Sequence, residues 1–287
     1  MCGMSVTVRF KFMRTGPVRY LGHLDMLRYF QKAVMKAELD AKYTEGFHPH
    51  QIMSFAYPLG VGMETYGDYM DLEMNACEDA EALMDRLNAV MHEGIKVTGA
   101  VILREKALNA MAAVAEADYE LVVAMDGKVS GDSSVDIACE AEKENAETVA
   151  ADSRQAAGDD RTAADCGAMQ EVLTAAINEL MARSEITGGK SGKNIRPGIR
   201  ILECRICKDY KGSNDKGNDD YELRLVMRLS SGSKLNVRPA DVFDKLCGTE
   251  AVNESGVRFK VTHLYRMEIY GNDKDGRIVA LNDKTAE

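Results

Sequence analysis

Hydrophobic and polar residues alternate strictly over residues 5–12, SVTVRFKF, as they do in a β-strand with one buried face. Apolar residues then recur every three or four positions over residues 23–39, which predicts an amphipathic helix. The same two periods predict a strand at 51–57, a strand at 68–74, a helix from a capping box at Asn75 to about residue 91, and a strand at 95–103. Strand, helix, strand, strand, helix, strand is the order of a ferredoxin-like βαββαβ unit.

The second half of the chain repeats this order around a long insertion. Its predicted elements are a strand at 119–125, a helix at 169–183, strands at 199–207 and 221–229, a helix at 239–246 and a strand at 259–270. We therefore predict an α+β fold, with two tandem ferredoxin-like βαββαβ units and antiparallel sheets. The first unit occupies residues 1–103. Residues 104–126 hold the seam and the first strand of the second unit, and residues 166–287 hold its remainder.

The insertion, residues 127–165, differs in composition from the rest of the chain. From Asp126 to Asp165 there are eleven acidic and four basic residues, a net charge of −7, with few large apolar residues and no periodicity. Such a segment cannot bury enough apolar surface to offset the entropy of ordering, so we predict that it is disordered. Residues 1–50, by contrast, hold eight Lys and Arg against four Asp and Glu. The net charge of −10 for the whole chain therefore leaves room for a polyanionic partner at the N-terminal region.

Composition narrows the class of protein further. No run of about 18 apolar residues occurs, so no membrane span is expected. The first residues lack the apolar core of a signal peptide, and the seven scattered cysteines are typical of reduced thiols, so we expect a cytoplasmic protein. Glycine motifs for phosphates or dinucleotides are absent, and we predict no cofactor.

Two histidines, His48 and His50, lie in the loop EGFHPH between the first helix and the second strand. Imidazole is a common zinc ligand, but zinc sites use three or four protein ligands and no third histidine is close in sequence. Cys204 and Cys207 form a CxxC pair, but within a strand positions i and i+3 point to opposite faces. We therefore predict no metal site.

Histidine also serves as a general acid or base, and a metal-independent ribonuclease needs such a group together with a cation for the developing phosphorane charge. His23 and His48, with Arg14 and Arg19 near them in sequence, could supply these groups. Any basic loop would show the same residue types, so this pattern does not separate an active site from a binding loop.

Positive charge is the more consistent feature. Arg28, Lys32 and Lys36 recur at every fourth position of the first helix, opposite its apolar stripe. Like charges at this spacing destabilise a helix by about 0.2–0.5 kcal/mol per pair, which either phosphate contact or a solvated helix face would explain. Arg196 and Arg238 each lie in an Asn-[Ile/Val]-Arg-Pro segment, where the proline keeps the arginine extended. The repeated Asn-[Ile/Val]-Arg-Pro segment is consistent either with anion binding or with a turn chemistry shared by the two segments.

Two longer segments carry a family resemblance. RFKFMRTGPVRYLGHLDMLRYFQKA, residues 9–33, and YTEGFHPHQIMSFAYPLGVGMETYGDYMDLEM, residues 43–74, resemble a bacterial radical-SAM-linked (radical-SAM-associated) protein family of unknown function. That family leads us to expect Pro-Lys after the second histidine, where this chain has Gln51 and Ile52. The chain has no CxxxCxxC cluster motif, so it resembles the stand-alone form of the family. Because genes of this family often neighbour those for an RNase E/G-type ribonuclease and for ribosomal proteins, the resemblance implies an RNA-linked role and a radical-SAM partner.

We therefore predict a non-catalytic accessory protein that presents RNA, or a ribosome-related particle, to a radical-SAM enzyme. The alternatives are a metal-independent endoribonuclease with His23 or His48 as general acid–base, and a protein-interaction scaffold without RNA contact. The predicted RNA- or anion-binding residues are basic or aromatic: Arg14, Arg19, Tyr20, His23, Arg28, Lys32, His48, His50, Arg196 and Arg238.

Overall fold

A computed structural model of the chain describes residues 5–76, 79–105, 107–125, 163–188, 192–208, 221–232 and 234–283. Most of the predicted disordered insertion, residues 127–162, lies outside the described residues, as do residues 209–220 between two predicted strands. Residues 163–165, predicted to end the insertion, are instead the first turn of a helix.

The first half of the chain follows the predicted order of elements. They are β1 (Val6–Arg14), a 3-10 turn (Gly16–Tyr20), α1 (His23–Lys36), β2 (Met53–Phe55), β3 (Glu64–Met74), α2 (Ala80–Asn88) and β4 (Ile95–Ile102). The capping box predicted at Asn75 is wrong, because Asp79 holds the N-cap position of α2. Asn75 instead donates from Nδ2 to Asp40 Oδ1 at 2.9 Å.

The second half contains the predicted elements and several short ones. They are α3 (Ala110–Ala113), β5 (Glu116–Met125), α4 (Ala163–Ala182), β6 (Thr187–Gly188), β7 (Lys193–Asn194), β8 (Ile199–Lys208), β9 (Tyr221–Ser230), α5 (Pro239–Cys247), α6 (Glu250–Ser255), β10 (Phe259–Asn272) and β11 (Ile278–Ala280). Sequence reasoning missed α3, α6, β6, β7 and β11, because two to six residues are too few to display a period.

The long strands form one sheet in the order β4-β1-β3-β10-β5-β9-β8, with β2 paired to β3 and β11 to β10. The fold is thus α+β with a mostly antiparallel sheet, as predicted. It differs from the prediction at the junction of the halves, where β3 and β10 are parallel and Tyr265 lies beside Glu64 and Arg266 beside Thr65. This pair joins the halves into one sheet where two were predicted. The finer assignment of each half to a ferredoxin-like unit stays a prediction.

Two apolar clusters pack the helices onto the sheet. In the first, Phe12 of β1 lies 4.9 Å from Phe30 of α1 and 5.9 Å from Phe55 of β2, measured between ring centroids. The second cluster packs β5, β8 and β9 against α4, α5 and α6, with Leu225 and Leu173 fully buried. Across the described ranges, no helix has both the length and the apolar character needed to cross a membrane.

Candidate nucleic-acid interface

The two segments that carry the family resemblance, residues 9–33 and 43–74, meet at one end of β1 and β3. Arg14 holds together the two loops at this end, which we call the motif loops. Its Nη1 donates to the carbonyl oxygen of Leu21 at 3.0 Å, and its Nη2 donates to the carbonyl oxygens of Gly60 at 3.4 Å and Met63 at 3.3 Å. Arg14 is only 2% exposed. It therefore fixes the two loops from the inside and does not present its charge to solvent as a surface phosphate contact.

Arg19 and Tyr20 form the solvent-facing part of this end. Arg19 donates from Nη1 to Glu64 Oε1 at 3.0 Å and from Nη2 to Tyr20 Oη at 3.1 Å, and its guanidinium lies 5.0 Å from the centroid of the Tyr20 ring. The hydrogen bond to Tyr20, supported by Glu64, raises the pKa of Arg19. Tyr20 is 62% exposed. A fixed guanidinium and an aromatic face thus lie together at the surface, where phosphates and bases could contact them.

Three buried charges lie behind these loops, at the junction of β3 and β10. Arg266 donates from Nη2 to Asp68 Oδ2 at 2.7 Å and to the carbonyl oxygen of Tyr57 at 3.0 Å, and from Nη1 to that of Pro58 at 3.3 Å. Burial lowers the pKa of Arg14, the charge of Asp68 opposes this shift, and that of Arg266 adds to it. Arg14 therefore lies within electrostatic range of both partners.

His23 is the first residue of α1 and stands beside the same loops. It is exposed, and its ring lies edge-on to Phe55 at 5.6 Å between centroids. Nearby, Tyr57 donates from Oη to Asn236 Oδ1 at 2.8 Å, which brings the second Asn-x-Arg-Pro segment against the motif loop. The structure thus gathers Arg14, His23 and residues of the second half around one end of the sheet.

The basic row on α1 faces solvent. The side chain of Arg28 is 71% exposed, and its nearest carboxylate oxygen, on Asp25, is 3.8 Å away. Lys32 and Lys36 are also exposed, and neither forms an ion pair with any described residue. The row therefore lies opposite the buried stripe of α1, at the positions that the sequence predicts.

The loop with His48 and His50 is a closed turn. The amide of Thr44 donates to the carbonyl oxygen of His50 at 2.8 Å, and the amide of His50 donates to Thr44 Oγ1 at 3.1 Å. Gly46 has a positive φ of 119°, which a side chain would strain. Both histidines are exposed and Phe47 is 100% exposed. The turn therefore presents an imidazole and a phenyl ring to solvent.

The two Asn-x-Arg-Pro arginines have structural partners. Arg196 donates from Nε and Nη2 to the carbonyl oxygen of Met181 at 3.3 and 3.0 Å, which satisfies an end carbonyl of α4. Arg238 makes a bidentate pair with Asp241, at 3.0 and 2.6 Å. These are contacts of the kind that a shared turn chemistry predicts, and anion binding by either arginine stays a prediction. About half of the Arg238 side chain is exposed.

Among the described residues, no three His, Cys, Asp or Glu side chains converge as metal ligands. Burial, with the added charge of Cys207, raises the pKa of Cys204 to about 12. A thiol with such a pKa stays protonated at neutral pH and is a poor ligand. The prediction of a metal-free protein is left to elemental analysis.

Sequence reasoning missed Tyr57, Asp68 and Arg266 as parts of this end of the molecule. Asp68 and Arg266 are 198 residues apart in the chain. They meet only because β3 and β10 pair over two residues on each strand, a register that neither strand's own pattern encodes. The available signal was an acid and a base, each within a predicted strand, because charged residues need partners when they are buried.

A family profile described as "Uncharacterized protein conserved in bacteria (DUF2344)" matches residues 7–239. No curated protein matches the chain. Among solved structures, an unknown protein from Galdieria sulphuraria is 12% identical, with a TM-score of 0.23 over 90% of this chain and 98% of that chain. A dye-decolorizing protein from V. cholerae is 10% identical, with a TM-score of 0.19 over 90% of this chain and 91% of that one. TM-scores this low support no inference about fold or function.

Proposed function

The chain belongs to the bacterial family of uncharacterized proteins DUF2344, and we propose that it is a non-catalytic accessory protein that binds RNA through its N-terminal half. One observation carries the proposal: Arg28, Lys32 and Lys36 form an exposed row of positive charge on α1. Such a row repels itself along a helix, and contact with successive phosphates would relieve that repulsion. The row is a local excess in a chain with a net charge of −10.

The loop before α1 supports the same proposal. Arg19 and Tyr20 offer a guanidinium and a 62% exposed ring, and His23 adds an exposed imidazole at the start of the helix. Stacking of a base on an aromatic ring contributes about 1–3 kcal/mol, so this loop could hold a base while the α1 row holds phosphates.

We propose that each half of the chain is a ferredoxin-like unit. In both halves the strands lie in the order fourth, first, third, second, as β4-β1-β3-β2 and as β10-β5-β9-β8. A fold of this kind does not define an activity by itself. The resemblance of residues 9–33 and 43–74 to radical-SAM-linked proteins supports a radical-SAM enzyme as the partner to which RNA is presented.

The salt dependence of RNA binding tests the proposal. Filter binding of the full chain to mixed-sequence single-stranded RNA would be measured from about 50 to about 200 mM salt. If all three residues contact phosphates, changing Arg28, Lys32 and Lys36 together to Ala should reduce the slope of log K against log salt by about 2, or about 0.7 per contact.

The matched control removes the same charge from exposed positions of the second half. Changing Lys193, Lys234 and Arg258 to Ala should leave the slope unchanged. An equal loss of slope in both triple variants would mean that only net charge matters. An unchanged slope in the α1 variant would reject this interface.

The other two functions are separate outcomes of the same work. RNA cleavage in EDTA that falls about 10²–10⁴-fold in His23→Ala or His48→Ala would identify an endoribonuclease. Co-purification of a radical-SAM protein with a chain that shows no affinity for RNA would identify a scaffold.

A further inference from the structure

A small cavity lies beneath the motif loops, and we call it the seam cavity. Phe12 and Phe55 form its apolar wall, and Arg14, Asp68 and His23 form its polar wall. Its volume of about 10 Å³ is enough for one water-sized atom. His23 lines the cavity and is also exposed to solvent, so it marks the mouth.

The polar wall, together with Arg266, which pairs with Asp68 but does not line the cavity, carries an unmatched positive charge. Among the described residues, Arg14 and Arg266, at 2% and 1% exposure, have between them the one carboxylate of Asp68, at 4% exposure, and its ion pair at 2.7 Å is with Arg266. The other buried acid in this region, Glu64, already pairs with Arg19 at 3.0 Å. A buried charge without a counter-charge costs several kcal/mol, so a negative partner at this position would stabilise the fold.

The same wall carries a hydrogen-bond donor without an acceptor. Within the described residues, the buried Nε atom of Arg14 has no hydrogen-bond partner. Asp68 Oδ1 accepts from the amide of Tyr69 at 3.0 Å and its Oδ2 accepts from Arg266 at 2.7 Å, and neither oxygen accepts from Arg14 Nε. Buried N–H groups almost always have partners in folded proteins, so a bound species that accepts a hydrogen bond is expected here.

We propose that the seam cavity binds one anionic atom, which accepts a hydrogen bond from Arg14 Nε. The atom is either a free halide or one oxygen of a phosphate group that enters past His23, and only this second source rests on the proposed RNA function. A water molecule would satisfy the donor but leave the extra charge unmatched. Because Arg14 also holds the carbonyl oxygens of Leu21, Gly60 and Met63, the bound anion would stabilise both motif loops.

Thermal unfolding of the full chain in sodium bromide, and separately in sodium phosphate, tests the site at constant ionic strength with gluconate as the replacement anion. A ligand that binds only the native state raises the unfolding midpoint with the logarithm of its concentration above Kd. We expect this response in the wild type. Arg14→Lys, which keeps the charge but lacks Nε–H, should weaken the apparent affinity for the anion at least tenfold.

Asp68→Asn is the second variant, and diffraction from wild-type crystals, which needs neither variant to fold, guards against a fold lost in Arg14→Lys or Asp68→Asn. Removing the carboxylate increases the unmatched charge, so the affinity for the anion should rise. Anomalous diffraction from bromide-soaked crystals should then show a peak within hydrogen-bond distance of Arg14 Nε. Water at that position, together with the same salt response in wild type and both variants, would overturn the proposal.

The source of the anion follows from competition with RNA. A phosphate response that an RNA oligonucleotide removes assigns the site to a backbone oxygen, whereas a bromide response that RNA leaves unchanged assigns it to a free halide. RNA binding without any response to either anion removes this site and leaves the proposed function standing. A bromide response with no RNA binding supports this site and rejects the proposed function.

Discussion

Arg9 and Asp71 form a buried ion pair, and we expect its loss to remove a large share of the protein's stability. Arg9 Nε lies 2.7 Å from Asp71 Oδ1 and Nη2 lies 2.9 Å from Oδ2, with the two residues 1% and 4% exposed. Breaking a buried pair by removing one partner costs about 3–5 kcal/mol, because the remaining charge stays buried. Against a typical domain stability of about 5–15 kcal/mol, Asp71→Ala should therefore be severe.

The pair also ties distant parts of the chain together. Arg9 donates from Nη1 to the carbonyl oxygen of Leu281 at 3.2 Å and from Nη2 to that of Leu108 at 2.9 Å. Asp71 Oδ2 accepts from the amide of Ala110 at 2.7 Å. In Asp71→Ala, the backbone amides of residues 108–113 and 281 should therefore exchange with solvent faster than in the wild type, and this increase should be larger than that in β5.

The assay is urea unfolding followed by circular dichroism, arranged as a double-mutant cycle with Arg9→Met, Asp71→Leu and both together. Each single change leaves an unpaired buried charge, so the double variant should lose less stability than the sum of the singles. The control is the exposed pair of Arg205 and Glu203, at 2.6 Å with side chains 58% and 50% exposed, whose loss should cost about 0–1 kcal/mol. If Asp71→Ala costs no more than Glu203→Ala, the reasoning from burial is wrong.

Three further outcomes are expected. Gly67→Ala places a Cβ 2.5 Å from a main-chain oxygen of β10 and should cost about 1–3 kcal/mol in urea unfolding, while Gly167→Ala, with open space around it, should cost nothing. Burial raises the pKa of Tyr265 to about 12, whereas unfolded tyrosine ionises near about 10, so the unfolded state releases its proton first. The free energy of unfolding in urea should then fall from about pH 10 to about pH 12, and it should fall less in Tyr265→Phe. Tyrosinate absorbance follows the ionisation itself. Elemental analysis should find far less than one zinc or iron per chain, and a full equivalent lost on changing both His48 and His50 to Ala would contradict this.

Periodicity predicted β1 and α1 because the large apolar residues of each lie on one face. The alternation of residues 5–12 and the stripe of α1 are both reproduced by Phe10, Phe12 and Phe30 in the core. It failed where tertiary contacts decide the local structure. β3 begins at Glu64, four residues before the predicted start, because its first residues pair with β10.

For the candidate site, too, the sequence predicts the exposure of some residues and fails for another. Arg28 and Lys32 lie on the solvent face of a helix, so helical spacing alone predicts their exposure. Arg14 was predicted as a surface contact because the apolar alternation ends at Phe12. The strand continues to Arg14, which is as buried as Phe12, both at 2% exposure. A strand assignment that ended two residues too early thus placed a buried arginine at the surface.

The buried polar groups of the first half depend on the second half for partners. Asp68 accepts a hydrogen bond from Arg266 at 2.7 Å, and Tyr69 donates from Oη to Glu268 Oε1 at 2.6 Å. An unpaired buried group costs about 1–3 kcal/mol, more when it is charged, so each of these contacts makes the order of one half depend on the other. The motif loops that carry Arg19 are held by Arg14 from within, and Arg14 lies beside Asp68 and Arg266. The surface proposed to bind RNA is therefore positioned by a network that only the joined sheet completes.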